Sequence, residues 1–211
     1  MFIYCYDTGM NFFRRHWYQL GFVAAIVFSV ILIIWHRHIS DFRLLLSVSL
    51  ITLFIHQFEE YQLPGYFPRM VNTAMFRSNQ PDRFPLNANT ALLINTGLGW
   101  TLYMLAIILG QHAVWLATAT IVISAGNVIA HTILFNIKGK TFYNPGLLTS
   151  LVLFLPMTVY YFIFLSRHDL LHPATLTIGI LLGLLVNYFG VIKLITILSD
   201  KKTVYIFKPF R

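Results

Sequence analysis

Apolar residues in this chain come in long unbroken blocks separated by short polar punctuation, with little of the strict alternation that marks a half-buried strand. Blocks near 17–35, 42–58, 90–109, 113–135, 147–165 and 175–197 each have the roughly 17–25 residues a helix needs to cross about 30 Å of hydrocarbon. The pattern predicts an all-α fold: one polytopic membrane domain over residues 1–211, a bundle of six transmembrane helices. Arg14 and Arg15 precede the first block as they would in a signal peptide. That block is too long for a signal core and no small-x-small site follows, so a retained anchor is expected. Residues 61–89 carry Pro64, Gly65, Pro68, Pro81 and Pro85 and cannot form one helix. "FPRMVNTAMFRS" between the prolines predicts a short interfacial helix between helices 2 and 3. "NANT", before Ala91, offers capping residues for the third span.

Composition agrees with the block pattern. With 57% apolar and 10% charged residues, the chain has too little polar surface for a water-soluble fold. Cys5 is the single cysteine, which excludes an internal disulfide framework and a cysteine-rich metal site.

The 15 basic residues sort unevenly when alternate loops face alternate compartments. Eleven fall on the side of the N-terminus (Arg14, Arg15, Arg69, Arg77, Arg83, Lys138, Lys140, Lys201, Lys202, Lys208, Arg211), three opposite (Arg37, Arg43, Arg167), and Lys193 within the last span. The positive-inside rule then places both termini in the cytoplasm of a multi-pass cell-membrane protein. That rule and attraction to anionic lipid headgroups account for the net charge of +8 without a nucleic-acid partner. No aromatic-basic nucleic-acid motif is present.

The second block ends in "HQFEEYQLPG". On a helix, His56, Glu59 and Glu60 share one side, at spacings of three and four. An imidazole and a carboxylate one turn apart can hold one metal ion, leaving the neighbouring carboxylate as base or support. The pattern is close to the inverted zinc-protease sequence H-x-x-E-H, with Glu60 in place of the last histidine. The plainer reading is that the triplet marks the cytoplasmic end of a span, where polar groups reach water. In the fourth block "NVIAH" puts Asn127 and His131 four apart on one face, inside an apolar run where an ionisable residue is costly. A packing pair joined by a hydrogen bond is the alternative there. The two spans run in the same direction, and each histidine lies about one turn, or roughly 6 Å, from the cytoplasmic end, so the imidazoles are expected in one layer. Asn95 in the third span falls at similar depth. Asn187 lies deeper and reads as helix-packing glue.

"HQFEE" at 56–60 with "NVIAH" at 127–131 resembles the HXXEE family of integral membrane proteins, over a stretch from the first span through at least the fifth. The resemblance implies an enzyme-like or metal-binding centre made by His56, Glu59, Glu60, Asn127 and His131. On physical grounds Asn95 and the loop Tyr143–Gly146 join the candidates.

The function expected is that of a metal-dependent membrane enzyme, a hydrolase, acting at the cytoplasmic leaflet on a lipid-like or membrane-embedded substrate. The expected ligands are His56, His131 and one of Glu59 and Glu60. The other glutamate is the general base, and Asn127 or Asn95 orients the substrate. Two histidines and a carboxylate suit zinc with an open position, and equally a facial iron site. A proton- or ion-coupled transporter and a non-catalytic resistance or immunity protein stay open as alternatives. His36, His38, His112, His168 and His172 gather on the outer side, "HDLLH" placing two of them four apart. They read as solvated loop residues ahead of a second metal or pH-sensing cluster.

Overall fold

The computed structural model describes residues 2–207, with side chains from Gly9 onward. Lys208, Arg211 and the Cys5 thiol lie outside the described residues. Those described form helices and connecting turns, with no strand among them. In chain order the helices are α1 (Phe2–Trp35), α2 (Asp41–Tyr61), α3 (Phe67–Ala74), α4 (88–109), α5 (114–139), α6 (Leu147–Arg167) and α7 (Pro173–Ile197).

Five helical segments are long and apolar enough to cross a membrane: Gly9–His38, Asp41–Tyr61, Ala88–Gly139, Leu147–Arg167 and Pro173–Ile197. The third spans 52 residues, roughly 78 Å if it were straight at 1.5 Å per residue. It reverses instead at a 3-10 turn, Gly110–Ala113, and its arms α4 and α5 pack together. Gly110 makes the reversal at φ +55°, a conformation glycine adopts without a Cβ penalty. The Arg43 guanidinium closes the end of α4 by donating to the Ile108 carbonyl at 2.9 Å.

Local chemistry explains most helix ends. The Ser40 hydroxyl accepts from the Arg43 amide at the start of α2, and Asp41 sits in its first turn. Asn87 caps α4, accepting from Asn89 and Thr90 at 3.0 Å each, as "NANT" suggested. Pro173 opens α7, where its missing N–H costs nothing.

Helix α1 departs from expectation, beginning at Phe2 and not near 17. Arg14 lies within it, donating to Asn89 (3.1 Å) and Asn11 (2.6 Å) while its guanidinium covers the Tyr205 ring at 4.0 Å. With protein partners for that charge, the helix has no need to stop where the apolar block begins. Helix α3 forms within the stretch expected, with Pro68, Val71 and Asn72 buried. The Asn72 amide ties the following loop down through Pro81 and through both backbone groups of Leu86.

The outside of the bundle is apolar: Val23, Ile26, Val30, Ile33 and Ile34 of α1 and Leu181, Leu184 and Leu185 of α7 are exposed. This is the pattern of helices solvated by acyl chains. Helix α7 packs closely on α5 because Gly179 and Gly183 face Thr118, Ala119 and Val122, where a Cβ would come within 3 Å of neighbouring atoms. Such small-xxx-small seams bring helices together where there is no water to drive association. Polar side chains collect inside, and α2 is the most enclosed long helix. Four helices contain a widened π-helical stretch: 93–100 in α4, 130–134 in α5, 150–154 in α6 and 186–193 in α7. In α6 the widening precedes Pro156, whose missing N–H breaks the regular ladder.

Candidate metal centre

The last turns of α2 place four polar residues inside the protein. His56, Gln57, Glu59 and Glu60 are 2%, 1%, 6% and 5% exposed, so the motif does not lie at the water surface. The turns are apolar on either side, and α5, α6 and the chain between them close over the polar face.

Helix α5 brings His131 against it. The His56 and His131 rings lie 5.0 Å apart, nearly perpendicular at 89°. Glu60 stands between them, its Oε1 at 3.6 Å from His56 Nε2 and 3.3 Å from His131 Nε2. One ligand atom from each of the three lies within 4.8 Å of the others, the sole such cluster of three or more among the described residues. His131, in the widened turn of α5, is completely buried, stacked on Phe67 at 5.3 Å with Phe135 edge-on at 4.9 Å. His56 rests on Phe154 at 4.5 Å. Gly146 packs directly on the His131 ring, leaving no room for a Cβ, and at φ +98° it occupies a conformation that favours glycine.

For neutral imidazoles, the outer hydrogen bonds select the tautomer of both rings. The Asn144 amide group donates to the carbonyl of His131 and to Asn136 Oδ1, each at 2.8 Å. Its oxygen therefore points at His131 Nδ1, 2.6 Å away, and as an oxygen it can only accept. His131 thus carries its proton on Nδ1 and turns a lone pair inward at Nε2. On the other ring, Thr149 donates its hydroxyl proton to Glu59 Oε2, which leaves its oxygen to accept from His56 Nδ1 at 2.8 Å. His56 Nε2 is then also a lone pair. Neither Nε2 has a hydrogen-bond partner, although both are buried. Two nitrogen lone pairs and a carboxylate oxygen face one another with no donor between them. Buried acceptors arranged this way need a cation or a proton among them.

The two adjacent glutamates have different surroundings. Glu59 lies outside the three-residue cluster, and both its oxygens are occupied. Oε1 accepts from Tyr143 Oη (2.9 Å) and the Leu148 amide (3.2 Å), Oε2 from the Thr149 amide (2.8 Å) and hydroxyl. It sits at the N-terminus of α6, where free N–H groups and the helix dipole favour an anion. Burial first, and the Glu59 carboxylate second, hold the Tyr143 phenol above its ordinary range. Through Thr149, Glu59 orients His56.

Asn95 and Asn127 make no hydrogen bond to the His–Glu cluster. Asn95 accepts from Gln57 (3.0 Å) and donates to Tyr61 Oη (3.2 Å) and to the Ala91 carbonyl (2.8 Å). Asn127 donates to the Ile123 carbonyl at 3.1 Å. Both line a cavity of about 390 Å³ enclosed by α2, α3, α4, α5 and α7, and Glu60 forms part of the same wall. Asn187 lines it as well and lies flat against Gly126, as well as serving as helix-packing glue. The outer histidines form no cluster: His168 stacks on Phe164 at 4.1 Å and His36 bonds the Ile33 carbonyl.

Sequence reasoning missed Thr149, Gln57 and Tyr61. The available signal for Thr149 was its place in the first turn of a helix opened by Asn144-Pro145-Gly146, where an acidic side chain from elsewhere finds backbone donors.

No curated protein and no solved structure matches the chain. One sequence family does, over residues 47–161. That stretch runs from within α2 through most of α6 and includes His56, Glu59, Glu60, His131, Asn144 and Thr149. Because the match takes in more than half of the chain and the whole of this buried centre, the protein belongs to the family described as "protein of unknown function with HXXEE motif".

Proposed function

We propose that this protein is a metal-dependent membrane enzyme, a hydrolase, that binds a divalent cation through His56, Glu60 and His131 and acts on a lipid-like substrate within the bilayer. The observation that carries the reading is the inward set of three acceptors whose outer sides are already hydrogen-bonded. That is the arrangement by which proteins prepare histidines for a metal. The two nitrogen-to-oxygen separations, 3.6 and 3.3 Å, fit a tetrahedral zinc site, whose roughly 2.0–2.1 Å bonds put ligand atoms about 3.3 Å apart. Three protein ligands leave the fourth position open, as catalytic zinc sites do.

A divalent cation at this position supplies Lewis acidity, which polarises a carbonyl and acidifies water. The protein's own groups do the rest. Thr149 and Asn144 hold the two imidazoles. Glu59 is a positioning residue, because its oxygens are filled by the start of α6. Glu60 faces the cavity, so its second oxygen is the proton acceptor closest to a bound substrate. Asn127, one turn along α5 from His131, orients the substrate.

In this reading α1, α2, α4, α5, α6 and α7 are six crossings, α3 lies at the membrane interface, and both termini are cytoplasmic. Elemental analysis of the purified protein tests the centre. We expect one zinc ion per chain in the wild type and its loss in His56→Ala, Glu60→Gln and His131→Ala. Metal absent from the wild type, or retained by all three variants, refutes the reading.

A further inference from the structure

The cavity beside the centre has a composition that specifies its occupant. Its wall is mostly apolar, with Leu53, Phe67, Val71, Leu98 and Ile195 among its residues. Amides from four helices interrupt it: Gln57 and Asn95 are bonded to one another, whereas Asn127 and Asn187 are not. Each of the latter uses one N–H on a backbone carbonyl of α5, that of Ile123 (3.1 Å) and that of Val122 (3.2 Å) respectively. Each keeps an amide oxygen and a second N–H without a partner among the described residues. The mostly apolar wall offers such groups few partners, and leaving them unpaired in an apolar surrounding is costly. Among the described residues no lysine or arginine lines the cavity, and Glu60 is its one carboxylate. Before any metal is bound, a phosphate or carboxylate inside it would face an anion with no basic side chain to hold it.

The cavity reaches the surface of the bundle beside α5 and α7, where its lining residues Ile129, Leu134, Leu184 and Ile192 are exposed. That surface is apolar, so the opening faces acyl chains. At roughly 30 Å³ per heavy atom, the share of one liquid water, a volume of about 390 Å³ holds about a dozen heavy atoms. This is one chain and not two.

We infer that the cavity is a binding site for an uncharged single-chain lipid that enters sideways from the bilayer between α5 and α7. Asn127 and Asn187 hold the amide or hydroxyl of its head, and its reacting bond lies at Glu60. The inference rests on the proposed enzymatic role only for the last point. Asn127 and His131 are four residues apart on α5, so the recognised group and the reacting group are separated by about 6 Å at 1.5 Å per residue.

Photolabelling of the purified full-length protein in nanodiscs with a diazirine-bearing dodecanamide tests the site. Labelled peptides are expected from the 123–135 and 184–195 segments. In chelator-stripped protein, excess dodecanamide or dodecanol should suppress the labelling, and dodecanoate or lauroyl lysophosphatidylcholine should not. Asn127→Leu should raise the dodecanamide concentration that halves labelling roughly fivefold, the loss of about one hydrogen bond. Leu184→Trp, a change at a lipid-exposed position, should reduce labelling by narrowing the mouth. Better competition by dodecanamide than by dodecanol assigns an amide-bearing lipid, and the reverse order a hydroxyl-bearing one. Labelling outside these segments, suppression by the anionic lipid, or indifference to both Asn127→Leu and Leu184→Trp overturns the inference. His131→Ala separates the two readings: labelling that persists in this variant supports the lipid site even where the metal measurements above fail.

Discussion

Replacing each of the two adjacent glutamates by glutamine in metal-free protein should give effects of opposite sign. Glu59 accepts from two backbone amides and two hydroxyls. A glutamine keeps one oxygen, and its best orientation leaves that oxygen on Thr149 and turns the NH2 group toward Tyr143 and Leu148. The half-exposed Tyr143 can rotate its hydroxyl and accept, but the Leu148 N–H cannot. Orphaning that amide costs about 1–3 kcal/mol, and losing the charge at the N-terminus of α6 costs about 0.3–2 kcal/mol more. The sum is about 1–5 kcal/mol, which at roughly 2–4 °C per kcal/mol for a chain of this size lowers Tm by on the order of 10 °C. Glu60 instead faces two lone pairs, 3.3 and 3.6 Å away. A glutamine there can donate an N–H to His131 Nε2, gaining about 1 kcal/mol. Glu60→Gln should therefore leave the Tm of chelator-stripped protein unchanged or slightly raised while abolishing metal binding. Glu59→Gln should melt early and retain metal with an affinity lowered roughly 10–100-fold. Thermal unfolding in detergent after chelation, paired with metal titration against a chromophoric chelator, measures both. An early-melting Glu60→Gln beside an unperturbed Glu59→Gln would refute the assignment of roles.

Why the sequence left that assignment open is a matter of where each glutamate's partners come from. The apolar blocks are legible because charges or turn residues bound them, and apart from the start of α1 the helix ends fall within a few residues of the boundaries predicted. Helical spacing of four also made the His56–Glu60 and Asn127–His131 faces legible, and shared depth suggested that the histidines meet, as their rings do at 5.0 Å. Glu59 and Glu60, however, differ only in what faces them. The groups facing Glu59 belong to Tyr143, Leu148 and Thr149, some 90 residues later in the chain and set by how α6 begins. Thr149 is one threonine among many until that contact exists. The extension of α1 was hidden for a related reason, since Arg14 ends an apolar block but not a helix once Asn89 and Tyr205 receive it. The widened turns that aim Asn95, His131 and Asn187 have no common sequence signature; in α6 alone does a proline mark one. The seam of Gly179 and Gly183 is different in kind, because G-x-x-x-G stands in the sequence and is read directly once sought.

Three further outcomes follow from the groups that hold the site in place. Thr149→Val removes the acceptor of His56 Nδ1, and Asn144→Ala that of His131 Nδ1. Each should weaken zinc binding about 10–100-fold in chelator competition, with Thr149→Ser restoring it, and undiminished affinity in both would show that the rings need no outer support. Tyr143 provides a test by pH. Its phenol is raised in the folded protein by burial and by Glu59, so the folded state holds that proton longer than the unfolded chain does. The corresponding stability is fully present below about pH 10, the ordinary tyrosine value, and is lost as pH rises above it. Tyr143→Phe should flatten the alkaline fall in Tm, and an identical fall in both proteins would count against the contact with Glu59. Gly146→Ala is the most severe change proposed. A Cβ at Gly146 enters the His131 ring, and a φ of +98° strains any residue that carries one. The ring cannot retreat, because Phe67 and Phe135 pack against it and Asn144 holds its Nδ1. Backbone strain of about 1–3 kcal/mol therefore adds to displacement of a ligand, and metal should be lost together with stability. A Gly146→Ala protein that keeps its zinc and melts with the wild type would mean that the loop from Tyr143 to Gly146 does not press on His131 as described.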